Sequence, residues 1–171
     1  MGNPLIDKMK FIRAFIIDVD GVLTNGHILM LENGEQLRSF NIKDAYAMQY
    51  ASLQRYRIGI VCQTGSEAIG KFFDSLGIKD VYFDLASKQS AFDDFLLDNS
   101  LAAGEVVYIG DDLDDLQPLA TAGLSVCPAD AVQEIKEKVH YVTSANGGSG
   151  CAREIIEMVL RLQNKWFEIT E

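Results

Sequence analysis

The stretch Asp18-Val19-Asp20-Gly21-Val22-Leu23-Thr24 directly follows the near-continuous apolar run Phe11–Ile17. Such a run predicts a strand that is buried on both faces, as in parallel sheets covered by helices. In open sheets of this kind, ligands bind beyond the carboxyl ends of the strands. The carboxylates of Asp18 and Asp20 are therefore predicted to lie where a ligand would bind.

Apolar runs of strand length alternate with helical patterns along the rest of the chain. Further strands are predicted at Ile58–Cys62, Val81–Phe83, Val106–Ile109, Leu124–Cys127 and His140–Val142. Helices are predicted at Asp44–Tyr56, Glu67–Leu76, Gln89–Asn99, Leu113–Ala122, Ala131–Lys138 and Cys151–Trp166. This alternation predicts an α/β fold in which a parallel sheet has helices on both faces and right-handed crossovers.

One segment interrupts the alternation. The stretches His27–Glu32 and Glu35–Phe40 flank the dipeptide Asn33-Gly34. Asn-Gly is the strongest short hairpin signal, because both of its positions tolerate a positive φ. We therefore predict a β-hairpin at about 27–40, projecting from the loop after the first strand. At about 150 residues per domain, the 171 residues predict one domain over 1–171.

Composition excludes several classes of protein. The net charge is -10, from 25 acidic and 15 basic residues, and no basic run is present, which disfavours nucleic-acid binding. No apolar run reaches the ~18 residues of a membrane span, and Met1–Lys10 lacks the apolar core of a signal peptide. The three cysteines form no CxxC pair and are typical of a reducing compartment. We predict a cytoplasmic protein that binds neither nucleic acid nor membrane.

A second acidic cluster, Gly110-Asp111-Asp112-Leu113-Asp114-Asp115, follows the predicted strand Val106–Ile109. At ~4 Å and an effective dielectric of ~20, each pair of like charges costs up to about 4 kcal/mol. A divalent cation between the two clusters would remove this repulsion. Oxygen ligands without His or Cys favour Mg²⁺, which commonly bridges carboxylates and phosphoryl oxygens. The clusters therefore predict a magnesium site and a phosphate substrate.

Four motifs follow one another along the chain: Asp18-Val19-Asp20-Gly21-Val22-Leu23-Thr24, Thr64-Gly65, Lys88 and Gly110-Asp111-Asp112-Leu113-Asp114-Asp115. Together, and in this order, they resemble the motifs of the haloacid dehalogenase superfamily of phosphotransferases. The resemblance implies a Rossmann-like α/β hydrolase fold. It also implies that Asp18 is the nucleophile and forms an aspartyl-phosphate. Asp20 would be the general acid to the leaving oxygen and then the general base to water.

The same resemblance assigns the remaining catalytic residues. Thr64 and the amide of Gly65 would hold a phosphoryl oxygen, while Lys88 would neutralise the phosphoryl charge and the nucleophile. Asp111 would be the acidic Mg²⁺ ligand, beside the nucleophile and the backbone carbonyl of Asp20.

Two further acids of the last motif have two interpretations. Asp112 and Asp115 would orient the metal shell from a second layer. Acids at the start of a helix are equally explained by the helix dipole, and this alternative stays open.

The spacing of the motifs leaves no room for the cap domain that members of this superfamily often carry. Asp20 and Lys43 are separated by 22 residues, most of which the hairpin uses. Thr64 and Lys88 are separated by 23 residues, enough for one helix and one strand. The site is therefore predicted to be open to water unless something else covers it.

A capless chain with a hairpin resembles the 3-deoxy-D-manno-octulosonate 8-phosphate (KDO 8-phosphate) phosphatases. The resemblance runs from about Phe11 to Leu162 and rests on Asp18–Gly26, Phe40-Asn41-Ile42-Lys43-Asp44 and Gly147-Gly148-Ser149-Gly150 with Arg153-Glu154. It implies a Mg²⁺-dependent phosphatase of lipopolysaccharide biosynthesis that acts on a sugar acid phosphate. It also implies a homotetramer assembled by the hairpins, with C-terminal tails that help to cover neighbouring sites.

The substrate stays open because two positions depart from the family pattern. Ser66 and Ser149 stand where members often have a basic residue, so two cations for a sugar acid are missing. Lys43 and Arg153 are the remaining candidate anion binders, although each is also typical of a solvated helix. The predicted substrate-binding residues are Asp20, Lys43, Thr64, Gly65, Ser66 and Arg153.

Two alternative functions follow. The first is a phosphatase for a nine-carbon keto sugar acid phosphate, such as KDN 9-phosphate or sialic acid 9-phosphate. The second is a non-catalytic tetramerisation module related to the domain fused to some cytidylyltransferases. The chain has a complete catalytic set, which argues against a non-catalytic module. The set consists of Asp18, Asp20, Lys88 and Asp111.

Overall fold

The computed structural model describes residues 4–167 of the chain. Its strands are β1 (Ala14–Asp18), β2 (Leu29–Met30), β3 (Gln36–Leu37), β4 (Arg57–Val61), β5 (Asp80–Tyr82), β6 (Val106–Ile109), β7 (Leu124–Cys127) and β8 (Tyr141–Val142). Its α-helices are α1 (Pro4–Met9), α2 (Ile42–Leu53), α3 (Glu67–Ser75), α4 (Lys88–Asn99), α5 (Leu116–Thr121), α6 (Gln133–Lys136) and α7 (Cys151–Leu162).

Six of the strands form one parallel sheet in the order β5-β4-β1-β6-β7-β8. The central strand β1 is buried along its whole length, as its continuous apolar sequence predicts. Asp18 pairs with Val61 of β4, and Ile17 pairs with Ile109 of β6. This register brings the loops that follow β1, β4 and β6 to one edge of the sheet.

Helices cover both faces of the sheet, and alternate residues of β1 point into two separate cores. Phe15 and Ile17 pack in a core that includes residues of α2, α3 and α7. Ala14 and Ile16 pack in the other, which includes residues of α4, α5 and α6. The predicted Rossmann-like α/β fold is confirmed.

The predicted hairpin is present but much shorter than its sequence pattern. Only Leu29–Met30 and Gln36–Leu37 pair as antiparallel strands, around a turn in which Gly34 has a φ of +87°. The strands lie apart from the main sheet, and all four of their residues are exposed. An isolated two-stranded hairpin has too little packed surface to extend its pairing.

The first predicted strand and the last predicted helix differ from the structure at their ends. Phe11 is exposed, and its N–H donates to the Lys8 carbonyl oxygen in a turn after α1, so β1 begins only at Ala14. The helix α1 was not predicted. The last helix stops at Leu162, and Asn164 has a φ of +55°, which an α-helix does not accommodate.

Within residues 4–167, the chain between β1 and α2 contributes a helical turn at Val19–Leu23 and the hairpin, and the chain between β4 and β5 contributes α3. No cap domain is inserted at either point, as predicted. No helix in this part of the chain has the length and apolar character needed to cross a membrane.

Glu154 on α7 ties the segment after β8 to the helix. Its carboxylate accepts hydrogen bonds of 2.7–3.1 Å from the Tyr141 hydroxyl, from the N–H and hydroxyl of Ser144 and from the N–H of Ala145. Desolvation would raise the pKa of Glu154, but the donors outweigh it and hold the pKa below the ordinary value of 4.5.

We expect the stability that Glu154 supplies to depend on pH. A depressed native pKa means that this stability is present at neutral pH and is lost as the pH falls below about 4.5. Glu154→Gln should lower the free energy of unfolding by about 1–3 kcal/mol at pH 7, and the difference from wild type should shrink between pH 5 and pH 3. Urea unfolding at several pH values measures it.

The matched control is Glu67→Gln, because Glu67 is an exposed acid in a surface pair with Lys71. It should change the free energy of unfolding by less than about 1 kcal/mol. A Glu154→Gln deficit that stays constant from pH 7 to pH 3 would contradict the assignment.

Candidate active site

A buried lysine joins carboxylates from two loops at the carboxyl edge of the sheet. The Lys88 Nζ atom, at the start of α4, lies 3.0 Å from Asp18 Oδ1 at the end of β1. It also lies 2.9 Å from Asp115 Oδ1 and 3.1 Å from Asp114 Oδ2, both in the loop after β6. The side chains of Lys88 and Asp18 are each 4% exposed, so little solvent screens these charges.

Burial sets the protonation of this cluster. It raises the pKa of Asp18, as does the nearby charge of Asp115, while Lys88 acts in the opposite direction. Burial and Asp115 likewise raise the pKa of Asp111 to about 7, against the influence of Lys88. Burial would lower the pKa of Lys88, but Asp18 and Asp115 outweigh it and the pKa is raised. Lys88 therefore stays positively charged, and the carboxyl groups around it outnumber this single positive charge.

Asp115 is fully buried, and all of its hydrogen-bonding capacity is used. Its Oδ1 accepts from the Tyr108 hydroxyl at 2.8 Å and from Lys88. Its Oδ2 accepts from the N–H groups of Asp111 and Asp112, at 3.0 and 3.3 Å. A carboxylate offers about four lone-pair positions, so none remains for a metal. Asp115 therefore positions the lysine and the loop.

A divalent cation fits the remaining oxygens. Carboxylate oxygens of Asp18, Asp111 and Asp115 lie within 4.8 Å of one another. Lys88 contacts Oδ1 of Asp18, which leaves Oδ2 for a metal, and the Tyr108 hydroxyl binds Asp115 rather than Asp18 or Asp111. Gly21, with a φ of +95°, lets Asp111 approach, because a Cβ at this position would collide with the Asp111 carboxylate. An all-oxygen site with surplus negative charge suits a hard cation.

The loop after β1 is held in shape by a small network and by the glycine-rich loop. The Thr24 hydroxyl accepts from the N–H groups of Gly21 and Gly26, each at 3.2 Å. The Gly148 N–H donates to the Val22 carbonyl oxygen at 2.8 Å. A Cβ on Gly147 would collide with the Gly21 carbonyl. The glycines before α7 thus allow the backbone of the glycine-rich loop to contact the backbone of the loop after β1.

Asp20 forms a two-point salt bridge with an arginine that the sequence analysis did not identify. Arg38, just after β3, places Nε 2.7 Å from Asp20 Oδ1 and Nη2 3.0 Å from Asp20 Oδ2. The arginine side chain is 5% exposed, against 32% for that of Asp20. The hydrogen bond to Asp20 raises the pKa of Arg38, outweighing partial desolvation. Within an exposed hairpin, no periodic pattern marked this arginine as different from its neighbours.

The second motif occupies the neighbouring loop between β4 and α3. Thr64 is exposed, and its carbonyl oxygen accepts from the Cys62 thiol at 3.2 Å. Gly65 packs against the Phe83 ring so closely that a Cβ would collide with it. Ser66 is the N-cap of α3, and its hydroxyl accepts from the Ile69 N–H at 3.3 Å.

A cavity of about 240 Å³ opens over the carboxylates. It is lined by Asp18, Asp20, Gly26, Gln63, Lys88, Asp111, Asp112 and Asp114. Gln63 is a second residue that the sequence analysis missed; it directly precedes the predicted phosphate-binding pair. Asp112 lines the cavity and also caps the next turn, because its Oδ1 accepts from the Leu113 N–H at 2.7 Å.

The two candidate anion binders lie on helices α2 and α7. Lys43 is exposed in the first turn of α2. The Arg153 guanidinium lies 3.3 Å from Glu157 and stacks over the Trp166 ring, 5.5 Å from its centroid. Their assignment to substrate binding stays a prediction.

Comparisons with known proteins identify the family to which the chain belongs. Residues 51–155 match the family model described as haloacid dehalogenase-like hydrolase, and the chain belongs to this family. Within it, the chain is a phosphoric monoester hydrolase of the capless type that resembles the KDO 8-phosphate phosphatases.

The relatives that support this are similar over nearly their whole length. The chain is 37% identical over 165 residues to the 3-deoxy-D-manno-octulosonate 8-phosphate phosphatase KdsC of Escherichia coli K12, covering 96% of this chain and 88% of that protein. The crystal structure of the Yersinia pestis phosphatase superimposes with a TM-score of 0.93 at 34% identity, covering 96% and 89%. A Moraxella catarrhalis phosphatase in complex with magnesium, phosphate and KDO superimposes with a TM-score of 0.91 at 27% identity, covering 96% and 94%.

We expect Asp115→Asn to destabilise the protein by about 2–4 kcal/mol, because an amide cannot accept from four donors and leaves buried groups unpaired. Asp112→Asn is the matched control, since asparagine caps a helical turn as well as aspartate does; it should cost less than about 0.5 kcal/mol. Chemical denaturation of both variants measures the difference. Equal stability of the two would show that Asp115 is an ordinary loop acid.

Proposed function

We propose that the protein is a Mg²⁺-dependent phosphatase that hydrolyses KDO 8-phosphate to KDO and phosphate, in lipopolysaccharide biosynthesis. The observation that carries the proposal is the buried Asp18 carboxylate, held 3.0 Å from Lys88 and beside Asp111, at the end of the central strand. Such a carboxylate is a nucleophile protected from bulk water and flanked by a fixed positive charge.

In the first step, an Asp18 oxygen attacks phosphorus and forms the aspartyl-phosphate. The bond between phosphorus and the C8 oxygen of the sugar breaks, and this oxygen takes a proton from Asp20. The open mouth of the cavity at Asp20, whose side chain is 32% exposed, admits a leaving group as large as a sugar. General acid catalysis of this kind contributes typically ~10²–10⁴-fold.

In the second step, water attacks phosphorus and Asp20 takes its proton. The bond between phosphorus and the Asp18 oxygen breaks, and phosphate leaves. Dividing one hydrolysis into two displacements lets the same carboxyl group serve first as an acid and then as a base.

Lys88 stabilises the charge that the phosphoryl group brings. Its Nζ is anchored by Asp18, Asp114 and Asp115, so it needs little rearrangement during the reaction. We assign a phosphoryl oxygen to the Thr64 hydroxyl and the Gly65 amide, as the motif implies. Gln63 lines the cavity and offers an amide donor beside this pair.

Mg²⁺ would be held by Asp18, Asp111 and the backbone carbonyl of Asp20. When bound, it supplies positive charge and orientation to the phosphoryl oxygens. Two observations support this set of ligands. The raised pKa of Asp111 shows that its negative charge is not compensated by neighbouring groups, and Gly21 lets the Asp111 carboxylate approach the loop after β1. A solved relative from Moraxella catarrhalis contains magnesium, and one from Haemophilus influenzae contains cobalt.

The relatives described above are named as KDO 8-phosphate phosphatases. We therefore prefer KDO 8-phosphate to the nine-carbon sugar acid phosphates as the substrate. Asp20, Lys43 and Arg153 are the proposed contacts to the sugar acid, together with the loop 64–66. The complete catalytic set and the family membership leave the non-catalytic module without support.

We also propose a cytoplasmic homotetramer in which neighbouring subunits replace the missing cap, with the whole chain acting as one domain. The hairpin supports such an assembly, because Ile28, Leu29, Met30 and Leu37 are 42–61% exposed. Contiguous apolar surface of this kind marks contact sites.

The proposed chemistry predicts that Asp18→Asn abolishes turnover without unfolding the protein. Wild type should hydrolyse KDO 8-phosphate with a higher kcat/KM than nine-carbon sugar acid phosphates or small generic esters. Steady-state assays with a substrate panel measure both, and circular dichroism checks the fold. A folded Asp18→Asn variant that retains near-normal rates would refute the assignment of Asp18 as the nucleophile. A higher kcat/KM for a nine-carbon sugar acid phosphate would show that the proposed substrate is wrong.

The proposed metal site predicts that Mg²⁺ binding releases protons. Because burial and the nearby Asp115 raise the pKa of Asp111 to about 7, a bound cation should displace a proton from this carboxyl group, and increasingly so as the pH falls below 7. Affinity should therefore fall as the pH drops below 7. Calorimetric titration in buffers of different ionisation enthalpy measures the release, and binding without any pH dependence would contradict Asp111 as a ligand.

A further inference from the structure

Arg38 reaches the reaction centre from an element with little stability of its own. Strands β2 and β3 have two residues each, and the hairpin exposes its apolar side chains. Yet the guanidinium just beyond it is 5% exposed and binds both oxygens of Asp20, at 2.7 and 3.0 Å. The Arg38 side chain is thus directed at the proposed acid and base.

The two-point contact restricts Asp20 in a way that a single cation would not. Two N–H donors on two oxygens fix the plane of the carboxylate as well as its position. Each oxygen keeps a further lone pair, and Asp20 lines the cavity over Asp18. The carboxylate is therefore held with accepting positions available to a water molecule in that cavity.

We infer that Arg38 is a positioning residue that holds Asp20 in the orientation needed to take a proton from the water that hydrolyses the aspartyl-phosphate. The inference rests on the proposed function. In this step, water attacks phosphorus, its proton goes to an Asp20 oxygen, and the bond between phosphorus and the Asp18 oxygen breaks. Arg38 would act through Asp20, because its guanidinium donates to both oxygens of that carboxylate.

The test uses para-nitrophenyl phosphate, because nitrophenolate leaves without needing a proton and the first step then does not depend on Asp20. In Arg38→Gln, formation of the aspartyl-phosphate should stay fast while its hydrolysis slows. We expect a burst of about one nitrophenolate per site, followed by a steady rate about 10–100-fold below wild type, the scale of a misplaced catalytic group. Rapid-quench measurements read both phases.

A double-mutant cycle separates action through Asp20 from a direct role. In an Asp20→Asn background, adding Arg38→Gln should cause no further loss. Arg38→Lys, which offers a point charge in place of the planar fork, should fall between wild type and Arg38→Gln, and its milder change guards against misfolding. Arg13→Gln removes an arginine that pairs with Glu105 at 3.0 Å on the surface and should match wild type.

The outcomes separate the inference from the proposed function. If wild type hydrolyses no phosphate ester, the proposed function fails, and the inference fails with it. If wild type turns over and Arg38→Gln shows no burst, or loses further activity in the Asp20→Asn background, the inference alone is overturned. The second result would mean that Arg38 contacts the substrate directly.

Discussion

A single buried lysine lies among more carboxylates than it can neutralise, and the arrangement of the site depends on this imbalance. Lys88 contacts Asp18, Asp114 and Asp115 within 3.1 Å, and Asp111 lies next to two of them. In a site with little solvent, unbalanced charge of this kind costs several kcal/mol. The excess of negative charge favours a cation at this site.

The surrounding backbone is built to bring these charges together. The register of β1 against β4 and β6 aligns the strand ends, and Gly21 lets the Asp111 carboxylate approach the first loop. Gly147, from the other end of the sequence, packs against the same loop. Each glycine stands where a side chain would separate two parts of the site, so these positions link the fold to its chemistry.

Much of this could be predicted from the sequence, because the signals were local. Continuous apolar runs indicated the strands of the sheet, and the acids that follow β1 and β6 indicated the residues that line the cavity at its carboxyl edge. The role of Asp115 could not be decided in this way. An acid at the start of a helical turn fits the helix dipole, and only the tertiary structure shows its four donors.

Arg38 and Gln63 escaped prediction for a related reason. Each lies in a loop or hairpin whose direction depends on packing between distant elements, and neither belongs to a periodic pattern. The late start of β1 was missed because Phe11 extends an apolar run in the sequence, although this residue is 69% exposed in the structure. A local sequence pattern does not show which apolar residues remain exposed to solvent in the folded protein.

A crystal structure of the protein with Mg²⁺ and beryllium fluoride, a mimic of the phosphoryl group, tests the proposed active site most directly. We predict beryllium bonded to an Asp18 oxygen, and the metal ion at about 2.1 Å from Asp18, Asp111 and the Asp20 carbonyl oxygen, with Lys88 still beside the nucleophile. Carboxylates that point apart, with the ion and the fluoride bound elsewhere or not at all, would contradict it.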